Sequence, residues 1–397
     1  MRDLWRAPRT GLESPVIRRL LRALRLDDLL ALLFTGALLV LSTLFSVRFD
    51  YTIVRGVTFL VVYYAVMFAS GRWLVRHPRL SPGQKRTLLA WVLLILVTFI
   101  LIIPGRDLML LEKPKYLLVA LVPILLAWWQ TPPHVDTLEP NTDKTSSAYQ
   151  LLRDLGPFLV SQLCYLLLHD VVHHISPVDR DVWLISADRL LLGGDLTRWL
   201  EPVVGHWPTE WFSATYSLFL IFPMSMVLWF IARGEREALR HMLQALVLCN
   251  YVGYLGYLLV PAIGPMYTLS YDVPLVGGWF YQVKEALDEL GRVPRDCFPS
   301  LHTSNTLVVL LIVRRYARPL LRIYLPLGAS CIAATIYLRY HYTIDVVAGF
   351  MLGGGAFWAV PRLMHVWSDR LERWLGPETQ TPATRRVGSA GDEFRGV

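Results

Sequence analysis

The sequence predicts an all-α fold: a multi-pass bundle of about ten transmembrane helices, whose last six form a functional core. Three observations predict it: 54% of the 397 residues are hydrophobic, the mean hydropathy is +0.42, and the apolar residues occur in long blocks. A helix needs about 20 apolar residues to span a bilayer, and in lipid a helix bonds its own backbone polar groups. The blocks lie at about residues 29–46, 55–70, 87–104, 116–130, 156–170, 211–232, 242–261, 299–313, 319–338 and 345–362.

The first four blocks form an N-terminal membrane module, residues 28–130, with few polar residues inside its spans. The segment before it, residues 1–27, carries seven arginines. Because the first block is long and further spans follow it, the block is not a cleavable signal. Cytoplasmic flanks of membrane helices are rich in Lys and Arg, so this basic segment is predicted to lie in the cytoplasm.

The remaining six blocks belong to the predicted functional core, residues 151–365, which a connector at residues 131–150 separates from the first module. Two long outer segments accompany the core, at residues 171–208 and 262–298. The first of them contains Trp and Leu residues that suit an interfacial helix. The polar tail, residues 366–397, is predicted to be cytoplasmic and partly disordered.

The formal net charge of +8 is explained by basic loops between the spans. In a ten-span count, "ARGEREALR" and "RRYARPLLR" fall on the same side as the N-terminus. The segment 131–150 should share that side, yet Lys144 is its only basic residue. No basic stripe with interleaved aromatics lies outside the membrane flanks, so we expect no nucleic-acid partner. The opposite end of the core is expected to face outward from the plasma (inner) membrane, with an organelle membrane as the alternative.

The stretch "CFPSLHTS", residues 297–304, places a histidine at the start of an apolar block. Pro299 suits the first turn of a helix, so the amides of Ser300 and Leu301 are expected to point outward. The start of a helix binds anions such as phosphate, and His302 would stand at the rim of such a site. A capped helix start with an interfacial histidine is the alternative.

The stretch "LRYHYTIDVVAG" places His341 and Asp345 four residues apart at the start of the last block. A carboxylate at this spacing can accept one ring N–H and leave the other nitrogen free as a nucleophile. Arg339 precedes the histidine by two residues. An interfacial His–Asp pair is the alternative, but the ten-span count places both histidine clusters on the same outer face.

Together, "FPSLHTS" and "YHYTID" resemble the second and third motifs of the type 2 phosphatidic acid phosphatase superfamily. Leu301 stands where many of the phosphatases have Gly. This leucine, the "HYTID" run and the upstream "YLLVPAIGPMY" resemble the branch of inositol phosphorylceramide and sphingomyelin synthases. The resemblance covers roughly residues 150–365 and not the first four spans.

The resemblance implies a set of catalytic roles. His341 attacks phosphorus and forms a phosphohistidine, and Asp345 orients it. His302 protonates the departing oxygen and then activates the incoming water or alcohol. Ser300, its neighbouring amides including that of Leu301, and nearby arginines bind the phosphate oxygens. The resemblance implies no metal and no cofactor.

Two departures from the phosphatase pattern affect the expected phosphate site. Thr335 occupies the position, six residues before the nucleophilic histidine, where the phosphatases carry an arginine. The first motif, Lys-x6-Arg-Pro, is also missing, although Lys284 and Arg292 lie nearby and could contact the substrate. Arg295 and Arg339 are the expected substitutes for phosphate binding, with a snorkelled interfacial anchor as the alternative.

The stretch "HDVVHH" permits several interpretations. His169 and His173 are four residues apart, a spacing that would suit a transition metal. Contact with the substrate or a plain interfacial position are the other two readings, and we expect no metal there. Tyr267 could line a head-group pocket, although interfacial aromatic belts are common. The four cysteines of the chain show no metal or redox spacing.

The sequence therefore predicts a membrane enzyme that acts on a phospholipid, with a second lipid or alcohol as acceptor. Transfer of a phosphoinositol-like head group is favoured. Hydrolysis of phosphatidate or a polyprenyl phosphate or diphosphate is the nearest alternative, because the first chemical step is the same. A lipid transporter is a third hypothesis. It is disfavoured because transporters usually keep their polar residues near the membrane midplane and often contain inverted repeats.

Overall fold

The computed structural model of the protein describes residue 21 and residues 24–44, 144–291, 293 and 295–375. All regular secondary structure in this part of the chain is helical, which confirms the all-α prediction there. Several predicted features lie outside the described residues: most of the basic segment, the spans at 55–70, 87–104 and 116–130, most of the connector, and the tail beyond residue 375.

The described residues contain eleven α-helices, and two short 3-10 turns, Glu201–Val203 and Arg318–Leu320, connect some of them. The helices are α1 (Leu26–Leu44), α2 (Lys144–Ile175), α3 (Asp181–Leu192), α4 (Leu196–Trp199), α5 (His206–Arg233), α6 (Arg236–Leu259), α7 (Pro265–Thr268), α8 (Trp279–Gly291), α9 (Leu301–Tyr316), α10 (Leu321–Tyr337) and α11 (Thr343–Leu375).

Four helical segments among the described residues are long and apolar enough to cross a membrane. They are His206–Arg233, Arg236–Leu259, Arg318–Tyr337 and Thr343–Leu375. These segments support a membrane protein and match four of the ten predicted spans. Three further predicted spans, 29–46, 156–170 and 299–313, overlap α1, α2 and α9. With 16 residues, α9 is about 24 Å long, which is shorter than the roughly 30 Å hydrocarbon core.

The long helices of the predicted core alternate in direction between the two ends of the bundle. Ser176, just after α2, donates a hydrogen bond to the Leu258 carbonyl near the end of α6 (2.9 Å), so these two helices end together. The Tyr316 hydroxyl, at the end of α9, lies 3.1 Å from Nδ1 of His241, near the start of α6. Helix α9 therefore runs against α6, and it begins at the end of the bundle where α6 finishes, here called the site end.

Two glycines allow the first turns of α9 to lie directly on α11. A Cβ atom on Gly349 would be 2.6 Å from the carbonyl oxygen of Ser300, and one on Gly353 would be 2.5 Å from that of Ser304. Cβ atoms essentially never approach other atoms closer than 3.0 Å, so this spacing requires residues without a side chain. The glycines consequently fix how close the starts of α9 and α11 come together at the site end.

A cluster of charges around a buried carboxylate holds the opposite end of the bundle together. Asp154 of α2 accepts hydrogen bonds from Arg25, just before α1, at 2.7 Å, and from Arg236 and Arg240 of α6 at 2.9 and 3.1 Å. The Asp154 side chain is only 1% exposed. A buried carboxylate is stable only when it is paired in this way, so the cluster joins α1, α2 and α6.

Candidate active site

A serine caps the start of α9. The hydroxyl oxygen of Ser300 accepts a hydrogen bond from the Thr303 amide (3.3 Å), which is the usual role of an N-cap serine. Its own amide donates to the Asp345 carbonyl (3.1 Å). The expectation that Pro299 occupies the first turn was wrong, because the helix begins at Leu301. The Ser300 amide is thus used within the protein and is not available to the anion that the sequence predicts at this helix start.

The His302 ring lies against two aromatic rings of α5. Its centroid is 4.5 Å from that of Tyr216, in a stacked arrangement, and 4.2 Å from that of Phe219. The His341 ring is 5.9 Å away, at an interplanar angle of 57°. The structure therefore brings the histidines of the two sequence motifs together. A general acid must come within about 2.6–3.2 Å of its proton acceptor, and at this separation both rings can reach one phosphoryl group.

His341 lies in the turn before α11 rather than in its first helical turn, since the helix begins at Thr343. Its backbone amide donates to the Thr335 carbonyl (3.1 Å), which fixes the turn. The Nδ1 atom of His341 is 3.5 Å from Oδ2 of Asp345. That carboxylate is completely buried and also accepts a hydrogen bond from the Tyr342 amide (2.9 Å). Asp345 is thus held behind His341, on the side of the ring that carries Nδ1.

The third group at this carboxylate is a cysteine. The Cys297 thiol donates to Oδ2 of Asp345 (2.9 Å), and its sulfur lies 3.8 Å from Nδ1 of His341. Burial and the Asp345 carboxylate raise the pKa of the Cys297 thiol well above its ordinary value. Reasoning from cysteine spacing missed this residue. Its place in "CFPSLHTS", five residues before His302, is the signal that could have identified it.

Helix α3 holds the turn that carries His341. The Asp188 carboxylate accepts hydrogen bonds from the Thr343 and Ile344 amides (2.8 and 2.7 Å), so it caps the start of α11 from another helix. Asp181 accepts one from the Tyr342 hydroxyl (2.9 Å). Burial raises the pKa of Asp188, and its two amide donors oppose that rise. Both aspartates were missed, although their seven-residue spacing, two turns on one face of a mostly apolar helix, marks them.

The Lys284 ammonium group is linked to the His302 ring through two stacked tyrosine rings. The lysine side chain is completely buried, donates to the Tyr340 hydroxyl (2.6 Å) and lies 3.4 Å from the Asp288 carboxylate. The Tyr340 ring stacks on Tyr216 (4.8 Å), which is the ring that stacks on His302. Burial and Asp288 raise the pKa of the Tyr340 hydroxyl. The ammonium group of Lys284 is therefore part of the support behind the His302 pocket.

The two arginines predicted to bind phosphate are engaged by the outer segments. Arg295 forms an ion pair with Asp179. Arg339 donates to the Val273 carbonyl, and its guanidinium carbon lies 3.8 Å from the centroid of the Tyr271 ring. Both arginines have positive φ angles, 81° and 65°, which are uncommon for residues with side chains. The strained backbone positions them just before the two motifs, while their side chains point into the outer segments.

The other predicted contact residues differ in their exposure. Leu301 is buried against α6, where a Cβ on Gly253 would meet its side chain at 2.5 Å. Tyr267 is 59% exposed. His173 is exposed, and its ring centroid lies 4.1 Å from that of His174.

Two predicted contacts cannot be placed, since the His169 side chain and Arg292 lie outside the described residues. Their roles, and the interpretation of His169 and His173 as a pair, stay predictions.

One group of side chains among the described residues has metal-ligating atoms close together. The Cys297 sulfur, a ring nitrogen of His341 and a carboxylate oxygen of Asp345 all lie within 4.8 Å of one another, and all three residues are buried. The second carboxylate oxygen of Asp345 is buried without a hydrogen-bond partner among the described residues.

Comparison with known proteins agrees with the two histidine motifs. Residues 182–359 match the model of the PAP2 superfamily. This range contains every helix from α4 to α10, both histidines and Asp345, so the match supports that superfamily and fits a lipid phosphatase or phosphotransferase. No curated protein and no solved structure matched the chain. The resemblance to the inositol phosphorylceramide and sphingomyelin synthase branch stays a prediction.

Proposed function

We propose that the protein is a membrane lipid phosphotransferase that moves a phospho-head-group, of the phosphoinositol type, from one lipid alcohol to another. The observation that carries the proposal is the pair of imidazoles, His302 and His341, whose centroids are 5.9 Å apart, with Asp345 behind the second ring. One ring can then act as nucleophile while the other transfers protons.

In the first step, the free nitrogen of His341, Nε2, attacks the phosphorus of the donor lipid. A nitrogen–phosphorus bond forms and the bond from phosphorus to the lipid oxygen breaks. His302 gives its proton to that oxygen, so the lipid leaves as a neutral alcohol. Asp345 accepts a hydrogen bond from the Nδ1–H group of His341, which keeps the lone pair on Nε2 and stabilises the positive ring that forms.

In the second step, His302 takes the proton from the hydroxyl of the acceptor. The acceptor oxygen attacks phosphorus, the nitrogen–phosphorus bond breaks, and His341 is restored. The amides at the start of α9 would stabilise the charge on the phosphate oxygens. Arg295 and Arg339 could add to this only if the substrate displaced their present protein partners. The proposed chemistry uses no metal and no cofactor.

Two features favour transfer to an alcohol over hydrolysis. The Tyr216 and Phe219 rings packed against His302 make its surroundings apolar, which suits a lipid acceptor better than water. The "HYTID" run and Leu301 also resemble the synthase branch. We further infer that the site faces outward from the membrane in which the protein resides, because the basic loops predict the opposite end to be cytoplasmic.

Product analysis tests this proposal. Purified protein in lipid nanodiscs is given a phospholipid labelled in its head group, with and without a lipid alcohol acceptor. Transfer predicts that the label moves to the acceptor lipid and that little is released when the acceptor is absent. Rapid release of water-soluble phosphate or head-group phosphate without an acceptor would establish the hydrolase instead. Lipid movement across the bilayer that survives in both His302→Ala and His341→Ala variants would favour the transporter.

A further inference from the structure

The group formed by Cys297, His341 and Asp345 has the composition of a site for a borderline-soft divalent cation. Thiolate, imidazole and carboxylate together suit Zn²⁺ and its spectroscopic substitute Co²⁺, whereas Mg²⁺ and Ca²⁺ prefer oxygen ligands alone. Three protein ligands would leave one tetrahedral position for solvent.

The distances between the three ligand atoms fit such a cation. Bonds of about 2.3 Å to sulfur and about 2.0–2.2 Å to nitrogen and oxygen, at tetrahedral angles, separate the ligand atoms by about 3.3–3.6 Å. The structure has 3.8 Å between the Cys297 sulfur and Nδ1 of His341, 3.5 Å between Nδ1 and Oδ2 of Asp345, and 2.9 Å between sulfur and Oδ2. Changes of at most about 0.7 Å in these separations would complete the geometry.

A second observation also points to a ligand at this position. Oδ1 of Asp345 is completely buried and has no hydrogen-bond partner among the described residues. A buried carboxylate oxygen without a partner is costly. A cation that bound both oxygens of this carboxylate would remove that cost, whereas one bound through Oδ2 alone would not.

We propose that Cys297, His341 and Asp345 bind Zn²⁺ and that the bound ion inhibits the enzyme. Binding to Nδ1 of His341 moves the remaining ring proton to Nε2, since a neutral imidazole carries one proton. Nε2 then has no lone pair with which to attack phosphorus. The thiol proton of Cys297 is released to solvent, because the thiolate is the metal ligand. The inhibitory effect rests on the proposed role of His341, whereas binding of the ion does not.

Cobalt binding tests the site without reference to activity. Purified full-length protein is titrated with Co²⁺, and the thiolate-to-cobalt charge-transfer absorption is recorded. The wild type and a Cys331→Ser control should both show the band, because Cys331 is buried in α10 away from this group. Cys297→Ser and Cys297→Ala should lose it. X-ray absorption of the wild-type cobalt complex should show one sulfur ligand, which tests the proposal even if the Cys297 variants do not fold.

Inhibition of turnover by Zn²⁺ tests the second part of the proposal, that the bound ion prevents His341 from attacking phosphorus. Each protein's activity is measured with increasing Zn²⁺ and compared with its own activity without metal. The zinc concentration for half inhibition should rise at least about tenfold in Cys297→Ser and should remain unchanged in Cys331→Ser. Mg²⁺ should not inhibit any of these proteins.

The outcomes distinguish the proposed metal site from the proposed function. The metal site would be overturned by a missing cobalt band, by a band that survives in both Cys297 variants, or by the absence of a sulfur ligand. Cobalt binding without zinc inhibition would overturn the inhibitory effect. A cobalt band in a protein without phosphotransferase activity would leave the site standing and count against the proposed function.

Discussion

Adding one methyl group at Gly349 should separate the two halves of the proposed catalytic pair. The Cβ of an alanine there would lie 2.6 Å from the Ser300 carbonyl oxygen and 2.8 Å from the Thr303 Cβ. Ordinary contact begins at about 3.4 Å, so α9 and α11 must move apart by roughly 0.8 Å at this point. His302 lies between Ser300 and Thr303 in the chain, so it moves with them relative to His341.

The expected loss of activity is large for so small a change. A misplacement of about 1 Å in a catalytic site can reduce the rate about 100-fold, so Gly349→Ala should lower the turnover rate by roughly 10- to 100-fold. Overpacking of this kind costs about 1–3 kcal/mol of stability. The gain in helix propensity from glycine to alanine, about 1 kcal/mol, offsets part of that cost. The net stability loss is then about 0–2 kcal/mol, so the variant should fold.

Gly355 provides a matched control on the same helix. A Cβ at this position meets nothing within 4 Å, so Gly355→Ala should keep full activity and gain up to about 1 kcal/mol in stability. The assay is turnover of a labelled phospholipid in nanodiscs, with thermal unfolding measured in parallel. If Gly349→Ala and Gly355→Ala turned over at the same rate, the close approach of α9 and α11 would not set the geometry of the histidine pair.

Three further predictions test other parts of the structure. Asp188→Ala should lose about 1–2 kcal/mol of stability and several-fold in turnover, because two amides at the start of α11 lose their acceptor; the exposed Asp272→Ala is the control, and equal behaviour of the two would contradict the cap. Asp154→Ala should cost about 1.5–3 kcal/mol in thermal unfolding, since it removes the buried carboxylate that three partly exposed arginines share, while the activity per folded molecule stays near that of the wild type; an unchanged unfolding temperature would contradict the cluster. Treatment with EDTA should leave turnover intact or raise it, and a loss that Mg²⁺ restores would refute a metal-independent mechanism.

The sequence predicted the parts of the site that are encoded locally. His302 and His341 each stand at the start of an apolar block, and one further block lies between these two. Because successive spans run in opposite directions, blocks separated by one span begin at the same end of the bundle. Asp345 follows His341 by four residues, and its carboxylate does lie behind the ring, although His341 is in the turn before α11 and not on the helix. The meeting of the two histidines depends on span direction, which can be read from the chain.

The supporting residues could not be predicted, because they come from segments that are distant in sequence. Asp188 is far from Thr343 along the chain, and nothing in the spacing of either segment shows that α3 packs on the start of α11. Tyr216 reaches His302 only through the packing of α5. Arg339 shows the opposite case: its position beside His341 predicted a phosphate contact, but its backbone conformation turns the side chain towards the outer segment.

The central claim is that His341 carries the phospho-head-group between donor and acceptor. The direct measurement is mass spectrometry of peptides from protein that has been mixed with donor lipid without acceptor and quenched rapidly under alkaline conditions, in which phosphohistidine survives. The account predicts a phospho-head-group adduct on His341 that disappears when acceptor is added and never forms in His341→Gln. An adduct on a different residue, or wild-type turnover by His341→Gln, would contradict it.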